Sequence, residues 1–161
     1  MATLTVTINE SVTLNGRERG SEITMDVESI TQVMHRIVSV PSDSGSTATQ
    51  TTIANFRTAV TTADSAMDDD DVRYARVTNL DASNAVTLNL QLAANGDTDA
   101  STNASVLLEA GKTFIINKAV GAAAVDDDAA TAIVSLVDIE SIIAVNDNAA
   151  DVDIEVFVAS V

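Results

Sequence analysis

The sequence predicts an all-β protein, and three observations support that prediction. The runs at residues 4–8 and 152–158 alternate apolar with polar residues, as strands with one face on a core do. Between these runs lie many similar short segments separated by turn signals, with no repeated βα pattern. Valine and threonine, which favour pleated surfaces, are abundant.

In the first part of the chain, short strands are predicted at residues 4–8, 12–14 and 23–27. The dipeptide Asn15-Gly16 predicts a hairpin turn, because both residues tolerate a positive φ. Residues 30–40 fit a strand better than a helix, because they are rich in β-branched residues and end at Pro41. Residues 51–60 leave two alternatives open, a short helix or a strand at their start.

The later strands are predicted at residues 72–78, 86–92, 105–108, 113–116, 132–137, 139–145 and 152–161. Loops are predicted at residues 41–50, 61–71 and 93–103. In the last strand, Asp153 and Glu155 are expected to face solvent while their apolar neighbours face inward. This spacing is typical of an antiparallel β-sandwich, a jelly roll or a barrel, and the length suits a single domain over residues 1–161.

Composition narrows the classes of function. The net charge of −16 repels phosphate backbones and anionic lipids, so neither nucleic acid nor a membrane is an expected partner. The absence of cysteine excludes disulfides and thiolate metal sites. The first residues carry neither a basic nor an apolar leader pattern, so synthesis in a cytoplasm is expected.

No catalytic or cofactor-binding residue is predicted. His35 is the single histidine, and a Ser-His-Asp relay would need a nucleophile and an orienting acid beside it. The chain has no G-x-S-x-G elbow, so we interpret His35 as structural; a hydrolase that uses it is the remaining enzymatic hypothesis.

Four acidic groups are the candidate metal ligands, at residues 68–71, 126–128, 97 with 99, and 151 with 153. None fits the loop of an EF-hand, and runs of acids are usually solvated. The expectation is therefore no cofactor, with calcium as the alternative.

Five arginines are candidate subunit-contact residues, namely Arg17, Arg19, Arg36, Arg73 and Arg76. The guanidinium matches a carboxylate in two places, which suits contacts with an acidic neighbour. Pairing within one chain is the alternative.

Four stretches together resemble small virion structural proteins of tailed bacteriophages, especially marine ones. They are residues 4–16, residues 35–38 before a proline, the turn at 76–81 and the ending at 153–160. The resemblance covers most of the chain. It implies a β-sandwich of the jelly-roll type that assembles as an oligomer on a capsid or tail, and it carries over no catalytic residues.

The expected function is thus a non-enzymatic capsid decoration or cement protein that binds across neighbouring capsid subunits and stabilises the shell. Its expected partners are the major capsid protein, other virion proteins and copies of itself, and a trimer is one hypothesis for the oligomer. The expected location is the virion. A tail, knob or fibre subunit and a glycan-binding β-module are the alternatives; the scarcity of aromatic residues weakens the last.

Overall fold

The computed structural model describes residues 1–43, 48–57, 67–93, 103–124 and 136–161. The acidic groups at 97 with 99 and at 126–128, and most of the predicted strand at 132–137, lie outside the described residues. Within the described part every regular element is a strand except one short 3-10 helix, so the all-β prediction is confirmed. None of the described helical segments has the length and apolar content that a membrane crossing requires.

The strands are β1 (Ala2–Asn9), β2 (Thr13–Leu14), β3 (Arg17–Glu18), β4 (Glu22–Ile30), β5 (Gln32–Val40), β6 (Thr49–Arg57), β7 (Met67–Asp68), β8 (Val72–Asn79), β9 (Val86–Leu92), β10 (Asn103–Leu108), β11 (Thr113–Ile116), β12 (Ile139–Asn146) and β13 (Val152–Ser160). The 3-10 helix covers Asp69–Asp71.

Two sheets form a sandwich. The β13 sheet has the strand order β11-β8-β13-β5, and the β12 sheet has the order β10-β9-β12-β6, with β7 parallel to β6 at its edge. The inward positions of β13 are Val152, Ile154, Val156 and Val158, and those of β9 are Val86, Leu88, Leu90 and Leu92. All eight side chains belong to one buried apolar cluster. Each stabilises the fold by roughly 1.5–3 kcal/mol through burial.

The pairing of the eight strands that build the two sheets, leaving aside the two-residue β7, is nested. The first pairs with the last, the second with the seventh, the third with the sixth and the fourth with the fifth: β5 with β13, β6 with β12, β8 with β11, and β9 with β10. Two further pairings, β13 with β8 and β12 with β9, join these pairs into the two sheets. All six pairings are antiparallel, as predicted.

Residues 1–30 form a hairpin outside the two sheets, here called the arm. Its long strands β1 and β4 pair with each other, and β2 pairs with β3 at its tip. Asn15 and Gly16 have φ of 51° and 73°, so the predicted hairpin turn is confirmed. An isolated two-stranded hairpin is marginally stable in water, so the arm depends on packing against the sandwich.

The two faces of the arm differ. Its polar face is held by hydrogen bonds between Thr5 and Asp26 (2.8 Å), Thr7 and Thr24 (3.4 Å), and Asn9 and Glu22 (3.1 Å). Its apolar face is made of the facing pairs Leu4–Val27, Val6–Met25 and Ile8–Ile23. Near the base this face packs with Ile30, Tyr74 and Ala159, on the outer side of the β13 sheet.

The arm joins the sandwich through an irregular segment. Ser29 has a φ of 63° close to where the register of β1 and β4 shifts, a left-handed position that glycine usually fills in a bulge. The strand predicted over residues 30–40 is therefore wrong at its start, because the chain leaves the ladder at Thr31. The Thr31 N–H instead donates to the carbonyl of Ser160 (3.0 Å).

Two other predictions are refined. For residues 51–60, the strand alternative is confirmed as far as Arg57, and 58–60 lie outside the described residues. The end of the predicted loop at 61–71 is regular instead. There β7 and the 3-10 helix form, and the carboxylate of Asp68 accepts a hydrogen bond from the Asp70 N–H (3.1 Å).

Two fully buried asparagines hold the loops that follow their strands. Asn146, at the end of β12, donates to the carbonyls of Val40 (3.0 Å), Pro41 (3.1 Å) and Ala150 (3.0 Å). Its own amide oxygen accepts from Asn148. Asn79, at the end of β8, makes corresponding hydrogen bonds with the backbone of the loop after that strand.

Candidate functional site

A chain of polar contacts crosses the outer face of the β13 sheet. The imidazole Nε2 of His35 lies 2.8 Å from Glu155 Oε1, and the Arg76 guanidinium donates to Glu155 Oε2 at 2.6 Å. Arg76 also donates to the hydroxyl of Thr78 (2.6 Å), which lies 3.0 Å from the hydroxyl of Thr113. The contacts thus run across all four strands, from β5 through β13 and β8 to β11.

Strand register explains why these side chains meet. On β13, Phe157 lies opposite His35 on one side and Arg76 on the other. Glu155 is two residues away on the same face, so its carboxylate reaches both groups diagonally. The sequence alone indicates no acidic partner for His35, because Glu155 is 120 positions away along the chain.

The electrostatics of Glu155 are those of an anchored carboxylate. The hydrogen bond from His35 contributes most to lowering its pKa below 4.5, and the hydrogen bond from Arg76 contributes next. Both oxygens are therefore engaged, and the carboxylate is a weak base. Within the described residues, no hydroxyl nucleophile completes a relay with His35, whose side chain is 56% exposed.

We predict that Glu155→Gln lowers the free energy of unfolding at pH 7 by about 1 kcal/mol, the value of a partly exposed ion pair. Because the folded pKa of Glu155 lies below 4.5, its contribution is complete above that pH and is lost as the pH falls through the folded pKa. The difference in free energy of unfolding between variant and wild type should therefore disappear at low pH. Urea unfolding at pH 7, 5 and 3 measures it.

Glu140→Gln is the matched control, since it removes an exposed carboxylate from a strand of the other sheet, outside this chain of contacts. We expect it to leave the pH dependence unchanged. A Glu155→Gln gap that is constant from pH 7 to pH 3 would contradict the prediction.

A groove of about 330 Å³ separates the arm from this face. The side of the arm is lined by residues 4–8 of β1, and the side of the sheet by Tyr74, Arg76, Ile115 and Phe157. The ring of Phe157 lies 6.1 Å from Tyr74 in an edge-to-face arrangement and 5.7 Å from His35. Two of the four aromatic residues of the chain thus gather under the arm.

Of the two predicted acidic groups that the structure describes, only residues 68–70 bring three carboxylates together. The carboxylates of Asp68, Asp69 and Asp70 have oxygens within 4.8 Å of one another, and Asp69 is buried. Asp69 Oδ1, like that of Asp68, accepts the N–H of Asp70. In the other described group, Asp151 instead accepts the Ser42 N–H (2.7 Å). Calcium binding by the first group stays a prediction.

The five arginines also divide into two classes. Arg36, Arg73 and Arg76 make contacts within the chain: Arg36 donates to the carbonyl of Ile53 (2.7 Å), and Arg73 to that of Asp70 (2.6 Å). For Arg17 and Arg19, at the tip of the arm, the described residues supply no carboxylate within ion-pair distance. These two therefore remain candidates for contact with another molecule.

Comparison with known proteins adds no relative. No protein-family model, no curated protein and no solved structure matches the chain.

Proposed function

We propose that the protein is a non-enzymatic structural component of a tailed-phage virion, a decoration or cement protein that binds across neighbouring capsid subunits. The arm is the observation that carries this proposal. Its base is packed on the sandwich, but Val12 and Leu14 at its tip are 54% and 59% exposed. An exposed apolar surface on a projecting element favours contact with other proteins.

The strand order supports the proposal at the level of architecture. Nested pairing of eight antiparallel strands in two sheets is what a long hairpin produces when it wraps around a core, which supports the jelly-roll type that we propose for this sandwich. Jelly rolls are common in viral capsid domains and in lectins. The fold is therefore compatible with both the capsid and the glycan hypotheses, and only the surface residues distinguish the two.

The surface favours the structural role. A sugar site usually offers an aromatic face to the ligand, but Tyr74 in the groove is only 4% exposed, because the arm covers it. His35 and Glu155 lie in a chain of ion-pair and hydroxyl contacts that fits a stabilised sheet surface. The charge of −16 favours a place on the outside of the shell, away from packaged DNA.

Two measurements test the proposal. Mass spectrometry of purified virions should detect the protein, and recombinant protein should co-sediment with shells of the same phage that lack it. Val12→Asp with Leu14→Asp should weaken this binding at least 10-fold, because the tip would then have to bury charge. Leu107→Asp, at an exposed leucine on β10, should bind as wild type does.

Absence of the protein from purified virions would overturn the proposal. If the protein is instead found only on tails or fibres, the virion role stands and the tail-subunit alternative replaces the capsid. Equal loss of binding in the Leu107 control would show that the arm has no special part.

A further inference from the structure

The exposed apolar side chains are concentrated in two places. Of the ten large apolar side chains that are exposed in the described residues, seven lie on the arm or on β5. The outer half of the arm has Ile8, Val12, Leu14 and Ile23, with exposed fractions from 37% to 59%. They continue the apolar face whose base packs on the β13 sheet, so one face of the arm is half covered and half uncovered.

The second place is the outer face of β5. Val33 and Ile37 point away from the core and are 55% and 61% exposed. Among the described strands, β5 pairs only with β13, so it is the edge of its sheet. The groove residues come from β8, β11 and β13, which places the base of the arm over those strands rather than over β5. An uncovered apolar edge strand is a template for association.

The charge of each surface indicates which partner it can bind. The tip of the arm, residues 10–21, has two acids and two arginines and is neutral overall. Its acids are used internally: Glu18 accepts the N–H groups of Val12 and Gly20, and Glu10 accepts the hydroxyl of Ser21. Arg17 and Arg19 are therefore the charges that the tip presents to a partner.

The body of the molecule has the opposite character. Residues 32–161 carry 19 of the 24 acids and 6 of the 8 basic residues, a net charge of −13. Asp153 lies on the exposed face opposite Ser39, two positions along β5 from Ile37. Two bodies would repel each other, but the neutral, arginine-bearing tip complements the acidic, apolar surface beside β5.

We propose that the arm tip of one copy docks on the outer face of β5 in a second copy. The apolar side chains of the tip cover Val33 and Ile37, and Arg17 and Arg19 reach Asp153 of the second copy. The contact is heterologous, arm to body, so it generates a ring when the rotation closes. This inference deepens the proposed function, on which it rests, by naming the first partner of the arm.

A charge swap tests the contact, with light scattering after size exclusion on the full chain at 10 to 100 µM and physiological salt. Wild type should be an oligomer. Arg17→Glu with Arg19→Glu should raise the dissociation constant at least 10-fold, and so should Asp153→Arg, since each places like charges together. Combining all three substitutions should restore association. Glu140→Arg, at an exposed acid on β12, should behave as wild type.

Thermal melts establish that each variant folds. A wild-type monomer at 100 µM, or a combined variant that does not reassociate, overturns the inference. A monomer that still binds shells would leave the proposed function intact. An oligomer with the expected charge swap that is absent from virions would overturn the proposed function alone.

Discussion

Asn146→Leu should lower the free energy of unfolding by about 3 kcal/mol, because the buried carbonyl of Val40 and the part-buried carbonyls of Pro41 and Ala150 lose their donor, and a fully buried polar group left without its partner costs about 1–3 kcal/mol. The side chain is fully buried, and its amide nitrogen donates to three carbonyls in two segments. Two of those carbonyls belong to the last residue of β5 and the residue after it, and one precedes β13. Leucine has a similar size, so the loss would come from hydrogen bonding rather than from a cavity.

Urea unfolding monitored by circular dichroism measures this effect. Asn103→Leu is the control, since Asn103 is an exposed asparagine at the start of β10, and we expect a change within about 0.5 kcal/mol there. A loss below about 1 kcal/mol for Asn146→Leu would show that water reaches the three carbonyls. An equal loss of free energy of unfolding in the control would show that the effect comes from placing leucine in a strand and not from the lost hydrogen bonds.

The strands themselves could be predicted from the sequence because their signal is local. Alternation in β9 and β13 reports a period of two, and a sheet with one face on a core produces that period whatever its partner. The Asn15-Gly16 turn is equally local, since it depends on backbone preferences of two residues. The buried role of Asn146 was missed, because a polar residue at a strand end looks like the start of a turn.

The candidate site could not be predicted, because it depends on pairing between distant strands. Nothing near His35 indicates that β5 will lie beside β13, and a shift of one residue would turn Glu155 to the other face. The sequence carries only a weak signal that an arm covers the outer face of the β13 sheet. Val158, Ala159 and Ser160 are buried in succession, which indicates cover on both faces of the sheet, and the sequence has an unbroken apolar run at residues 156–159.

Tyr74→Ala should separate the arm from the sandwich. Tyr74 is 4% exposed, and with Ile30 and Ala159 it forms the buried cluster beneath the arm, so truncation should cost about 3 kcal/mol of local packing. A two-stranded hairpin cannot supply that stability alone. Backbone amides of β1 and β4 should therefore exchange with solvent at least 10-fold faster, while those of β9 and β12 keep their protection.

Tyr74→Phe is the matched control, because it keeps the ring that packs on Phe157 and should hold the arm in place. Hydrogen exchange read by mass spectrometry reports arm and sandwich peptides in one experiment. Equal acceleration in both would contradict the prediction and make the arm an integral layer of the fold. Acceleration confined to the arm would show that its base is held by this cluster, which leaves the exposed tip available for a partner.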